Sequence, residues 1–166
     1  MEVQYPFEYL HLEMVSSLCQ MTSESTTDSA IKVGALTKLE RIGYRVGMAL
    51  CESLLREHQR LMSEVEVMKF ICKEFWETIF LKQVDSLKTD HQGTYIISDT
   101  RFWLVSSLSN TEQYREESPY YLAFSCGLIR GALKTLNFVA VATAEVCIMP
   151  SVKFSVTLHS SPSFSK

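Results

Sequence analysis

Residues 65–80, VEVMKFICKEFWETIF, decide how this chain folds. On a helical wheel Val67, Met68, Ile71, Cys72, Phe75, Trp76 and Ile79 cover about half the circumference, more than the roughly 100° stripe of an ordinary surface helix. Such a helix packs on more than one side. Ser63 and Glu66 precede the run as S-x-x-E, in which a serine hydroxyl accepts a first-turn amide and the glutamate reaches back. The spacing therefore predicts a third helix over 64–88, with Phe80, Val84 and Leu87 continuing it on another side.

Upstream, Phe7, Leu10, Met14 and Leu18 recur at three and four residues, giving a first helix over 6–20 with Pro6 in its first turn. Residues 22–29 are polar and read as a flexible loop. A second helix spans 30–57, marked by Leu36, Leu39, Gly43, Val46, Leu50 and Leu54, with an apolar arc of about 200°. Gly43 and Gly47 lie on that arc. Each weakens the helix by up to about 1 kcal/mol relative to alanine, and the compensating gain is that another backbone can approach closely. Gly127 and Gly131 repeat the spacing in a later helix.

Downstream the period falls to two. Residues 94–98 and 101–108 read as short strands with a turn at 98–100. A helix over 119–137 follows, capped by Ser118 with Pro119 at its first position. Residues 139–149 form the next strand, Pro150-Ser151 turns the chain, and Val152, Phe154, Val156 and Leu158 alternate with polar residues. Helices, a hairpin, a helix and another hairpin make an α+β fold with helices on one face of an antiparallel sheet. One domain spans 1–166, and 160–166 read as a fraying tail.

Composition removes several classes of function. A net charge of −3 leaves no broad basic footprint for nucleic acid. No apolar run approaches the roughly 18–20 residues that span a bilayer, and the glutamate-bearing N-terminus argues against a secretory signal. The chain reads as cytoplasmic. Its five cysteines are scattered without a CxxC, so buried reduced thiols are the default. His11, His58, His91 and His159 lack metal-ligand spacing, and no metal or cofactor is expected. His91 reads as a cap at the end of the third helix. Cys126, in FSCGLIRG, superficially resembles a nucleophile followed by glycine, but its helix is apolar and packing is the simpler role. No phosphate-cradling glycine loop occurs. Arg130 interrupts an apolar stretch and needs an acid, for which Glu145 is the candidate. Nothing here is catalytic, so the function lies in packed surfaces.

Read in order, GYRVG (43–47), MKFICKEFW (68–76), LKTDHQGTY (87–95), YLAFSCGLIRGAL (121–133) and TAEV (143–146) resemble the small-subunit family of the TRAPP vesicle-tethering complex, in its subunit-six branch. The resemblance implies helices packed on a four-stranded antiparallel sheet. It implies a heterodimer with the acylated founding small subunit, joined through the first two helices, alongside other TRAPP subunits. The assembly it implies exchanges nucleotide on a Rab-type GTPase in endoplasmic reticulum-to-Golgi and intra-Golgi traffic, with this chain as non-catalytic scaffold at those membranes. The founding member's acylated cysteine has no counterpart between Cys51 and Cys72, so no acylation is expected. Periodicity and resemblance together give a partner interface of Leu10, Met14, Leu18, Leu39, Gly43, Val46, Gly47 and Leu50. The alternative is a lipid- or metabolite-binding sensor with an apolar cavity between helices and sheet.

Overall fold

The computed structural model describes residues 4–23, 28–56, 63–90, 92–106, 108 and 112–160. In chain order these form α1 (Gln4–Ser23), α2 (Asp28–Leu55), α3 (Glu64–Phe70), a π turn (Ile71–Phe75), α4 (Trp76–Phe80), β1 (Ser86–Thr89), β2 (Thr94–Asp99), a 3-10 turn (Trp103–Val105), α5 (Glu112–Thr135), β3 (Val139–Val146) and β4 (Val152–Ser160). The strands make one antiparallel sheet in the order β1-β2-β4-β3. Tyr95, Ile97, Val152, Phe154, Val156, Ala140 and Ala142 are buried on its inner face. Their alternates Ile96, Val141 and Lys153 point outward and are exposed. Helices thus cover one face, the α+β arrangement that the periodicities predict.

α2 and α5 meet through glycine on both sides. A side chain at Gly43 or Gly47 would run into the backbone of Phe124 or Leu128, and one at Gly127 or Gly131 into that of Glu40 or Tyr44. The contacts advance in the same direction along both chains, so the two helices run parallel where they touch. Missing Cβ atoms let backbones come closer than the usual 8–10 Å or so between helix axes. Close approach is what the glycine spacing predicts, but the second backbone belongs to this same chain. Gly43 and Gly47 are buried internally and are therefore removed from the partner interface expected of them.

The α3–π–α4 rod supplies the aromatic centre. Ser63 Oγ accepts from the Glu66 amide at 3.3 Å, the capping contact read from S-x-x-E. Trp76, Phe80, Phe102 and Phe154 stack edge-on or tilted, with centroids 4.5–6.0 Å apart. Burying each ring contributes on the order of 1.5–3 kcal/mol. The widened π turn leaves the Cys72 carbonyl able to accept the Val84 amide at 3.2 Å, which brings the following loop back along the rod.

The helix expected over 64–88 is shorter in the structure. Leu81 adopts a left-handed conformation (φ 58°) and ends the helix at Phe80, whose carbonyl accepts Trp103 Nε1 at 3.1 Å. Val84 and Leu87 mimic helical spacing, yet Leu87 belongs to β1, which pairs with β2 across residues 90–93. The Asp90 carboxylate organises that turn by accepting the amides of Gln92 and Thr94. His91 lies outside the described residues, and the helix assigned to it for capping ends well before it. Residues 101–108 hold the 3-10 turn instead of a strand.

α5 starts at Glu112, so Ser118 is not its cap and Pro119 sits inside it. Proline there has no amide to donate to the preceding turn, and the tertiary packing of α5 outweighs that loss. The helix closes with Asn137 left-handed (φ 66°), its amide on Lys134 and the Phe138 amide on the Leu133 carbonyl at 2.9 Å. That pattern satisfies the last carbonyls before the chain enters β3. Much of the polar stretch 22–29 is helical as well: α1 runs to Ser23 and α2 begins at Asp28. Residues 24–27 and 161–166 lie outside the described set.

Asp99 ties the rod to the sheet. Its fully buried carboxylate takes Lys82 Nζ at 2.5 Å, Trp76 Nε1 at 3.2 Å and the Arg101 amide at 3.0 Å. Asp85 beside it accepts the Thr100 amide and hydroxyl, which hold its carboxyl below the usual carboxylate range. Two outcomes follow. Asp99→Ala strands Lys82 and two neutral donors, a loss of about 2–4 kcal/mol, below a fully buried pair because Lys82 reaches solvent. Gly43→Ala forces α2 from α5 and lowers stability by at least about 1–3 kcal/mol, the ordinary range for overpacking. Denaturant melts of both variants check these figures.

Candidate interaction surface

Three groups of side chains invite a functional reading: the charged cluster at Arg130, the buried thiols and histidine, and the outer surfaces of α1 and α2. Arg130 reaches Glu40 of α2 in an ion pair, while its Nε donates to the Ala140 carbonyl at 3.2 Å and its guanidinium lies 5.9 Å from the Tyr44 ring centroid. The acid partner is thus Glu40 and not the expected Glu145, which points outward from β3, across from Lys153 on β4. The register explains why. Leu158 donates to Gly93 on the β2 side, so its neighbour Ala140 turns its carbonyl to the free edge of the sheet, where Arg130 meets it. One side chain therefore links α5, α2 and β3, and the role is structural.

The buried thiols are not poised for chemistry. Burial pushes Cys51, Cys72 and Cys126 up to about 12, far from the thiolate that a nucleophile requires. Cys126 belongs to the core cluster, which agrees with the packing role read from its apolar helix. Tyr95 donates its hydroxyl to Glu64 at 2.6 Å, and burial with that carboxylate raises it to about 12. This bond holds α3 to β2. Among the described residues no group of His, Cys, Asp and Glu could hold a metal ion.

His11 is different. It is wholly buried under α1, its ring centroid 6.3 Å from that of Tyr121 and 5.8 Å from that of Phe124. Neither ring nitrogen has a well-formed hydrogen bond. Burial lowers it to about 4, with the backbone of Tyr121 near enough to offset only part of that shift.

The outer surfaces remain. Of the residues expected at a partner interface, Leu10 is 58% exposed and Val46 38%. Met14, Leu18 and Leu50 are half-buried against the core, whereas Leu39 is fully buried in a small cluster with Val15 and Ala123. Leu39, like the two glycines, cannot meet a partner without moving α1. The structure adds Tyr5 and Tyr9, 54% and 69% exposed, which lie off the apolar stripe. They sit one turn apart on the side of α1 away from Phe7, His11 and Val15, so a helical wheel could have flagged them as large apolar groups with nothing to pack on. α1 is therefore apolar on its inner side and carries exposed aromatic and aliphatic groups outside it.

The Arg130 bracket yields a graded expectation. Arg130→Ala loses the ion pair, which is only partly buried, and the donor to Ala140, for about 1–2 kcal/mol together. Glu145→Ala stays within about 0.5 kcal/mol of the parent. A double-mutant cycle on Arg130 and Glu40 should show coupling, and one on Arg130 and Glu145 none.

Residues 7–159 match the family described as Transport protein particle (TRAPP) component. The chain is 43% identical over 153 residues to human trafficking protein particle complex subunit 6B, spanning 92% of this chain and 95% of that one. It is 44% identical over 155 residues to human subunit 6A, and 42% identical over 153 residues to zebrafish subunit 6b. In shape it is similar to a trafficking protein particle complex subunit 3 from Naegleria fowleri, solved covalently bound to palmitic acid. That likeness has a TM-score of 0.70 at 21% identity and covers 92% of this chain and 95% of the other. Motif order, the helices on a four-stranded sheet and sequence identity along nearly the whole chain converge, and the protein belongs to the TRAPP component family, with the subunit-six branch as its match.

Proposed function

We propose that this chain is a non-catalytic structural subunit of a TRAPP-like tethering complex. In this reading it helps assemble a guanine-nucleotide exchange factor for a Rab-type GTPase in endoplasmic reticulum-to-Golgi and intra-Golgi vesicle transport, peripheral to those membranes. It contacts the GTPase only through the complex. Its immediate partner is the acylated founding small subunit, and the contact runs through α1 and α2. The observation that carries the reading is the family match over residues 7–159. It is supported by the large apolar side chains left outside the core on these helices, Tyr5, Tyr9, Leu10 and Val46. A lone soluble chain rarely gathers such groups unless another surface covers them. Among the described residues no helix is long and apolar enough to cross a membrane, in keeping with attachment through a partner.

The interface in this proposal is Leu10 and Val46, with Met14, Leu18 and Leu50 at its margin. Leu39, Gly43 and Gly47 act behind it by holding α1 and α5 to α2. The test is a Leu10→Glu, Val46→Glu double variant of the tagged chain. Both positions are exposed, so far-ultraviolet circular dichroism and the melting temperature should stay close to those of the parent. Affinity purification of the parent should return the founding small subunit and other tethering subunits, and the variant should lose the founding subunit. Retention of that subunit by a folded variant would remove α1 and α2 from the contact. If the parent returns no tethering subunits, the functional reading itself fails.

A further inference from the structure

α1 is the helix most lightly held to this fold. The main core lies between the sheet, the α3–π–α4 rod and α5, and its fully buried large side chains all come from α3, the π turn, α4, β2, α5, β4 and the segments around them. α1 reaches that core only through Phe7 and Met14, both partly buried. Its own buried cluster is small: Val15 with Leu39 and Ala123. Phe7 sits edge-on to Trp103 at 5.6 Å, and His11 follows one turn later against Tyr121 and Phe124.

At the centre of this seat is a polar ring that solvent does not reach and no donor or acceptor satisfies. α5 faces it with two aromatic rings and the Tyr121 backbone. Where α2 meets this part of α1 it offers Leu36 and Leu39. On α1 itself, Glu13 is exposed and Glu8 half-buried, and no charged side chain contributes to the ring's titration. Glu117 of α5 acts instead on Cys19, two turns further along α1. A neutral imidazole is tolerated in such a place at some cost, whereas an imidazolium without a counter-charge is not.

We propose that α1 is a proton-sensitive latch: it stays seated on α5 while the His11 ring is neutral and lifts when that ring takes a proton. The direction follows from linkage. Above pH 6.5 the ring is neutral whether α1 is seated or lifted, and docking does not depend on pH. Below 6.5 the lifted form binds a proton that the seated form, held near 4, refuses. Docking therefore weakens as pH falls from 6.5 toward 4, by up to about tenfold per unit, and levels off below that. Between pH 7.5 and 6.0 the shift is about fourfold. The core behind α1 has no part in this, so the remainder of the fold stays closed.

Amide hydrogen exchange on the full chain at pH 7.5 and 6.0, corrected for intrinsic rates, tests the latch. Protection in α1 should fall about fourfold relative to α5 and the sheet. In His11→Leu, which carries no titrating ring, α1 protection should be equal at the two values. The proposal is overturned by constant α1 protection in the parent, by the same loss in His11→Leu, or by a loss shared equally with α5 and the sheet. Should His11→Leu fail to fold, the ring resonances of His11 in the parent decide. They should remain those of a neutral imidazole at pH 6.0 in the seated form, and an ordinary titration near 6.5 with α1 still protected would sink the idea.

Discussion

Everything in this fold hangs on the backbone contact between α2 and α5. Four glycines, two on each helix, remove the side chains that would hold the helices apart. What replaces them is main chain against main chain over two turns, a contact with almost no conformational entropy to lose. Its geometry positions the rest. With α5 pressed to α2, Arg130 reaches Glu40 and the edge of β3 together. On its other side α5 presents Leu122, Ile129 and Leu133 to the sheet. α1 has only the remaining groove, beside Leu39 and Ala123, in which to lie.

A second constraint acts at the opposite end. A buried carboxylate is costly unless its lone pairs are taken, and Asp99 satisfies that condition with groups from three places: Trp76 on the rod, Lys82 after it and the Arg101 amide in the turn beyond β2. The indole thereby spends its one donor within an otherwise apolar cluster. Hydrophobic burial supplies most of the energy here, and the polar node selects one arrangement of rod and sheet from those the aromatic rings would tolerate.

Much of this is legible in the order of residues alone, and the misreadings have physical causes. Helices on one face of an antiparallel sheet follow from the change of period after residue 93 and the alternation over 152–158. The glycine spacing announces a close approach, but spacing cannot name the second backbone. Only the matching pair at Gly127 and Gly131 hints that it is α5. Likewise an isolated arginine announces that it needs an acid, yet Glu40 lies ninety residues away in sequence, on a face that periodicity assigns to solvent. Periodicity overextends the third helix because Val84 and Leu87 fall at helical intervals. A left-handed leucine at 81 leaves no compositional trace, since its conformation is imposed by the contacts of Trp103 and Lys82 around it. Of the candidate surface, Leu10 and Val46 are readable as apolar positions. Burial of Leu39 depends on where α1 comes to rest, and nothing local in the chain encodes that.

The widened turn at Ile71–Phe75 has a consequence for how this rod tolerates change in length. A π turn holds one residue more than an α turn between its hydrogen-bonded ends, so it works as a phase shifter, offsetting the apolar positions after it from those before it. Deleting one residue within the turn would leave every backbone amide a partner in a regular helix. It would also rotate all that follows by about 100°, swinging Trp76 off Asp99 and Phe80 off Phe102. The rod is a spacer whose setting is counted in residues, and a conservative change of side chain is gentler to it than the loss of a single peptide unit.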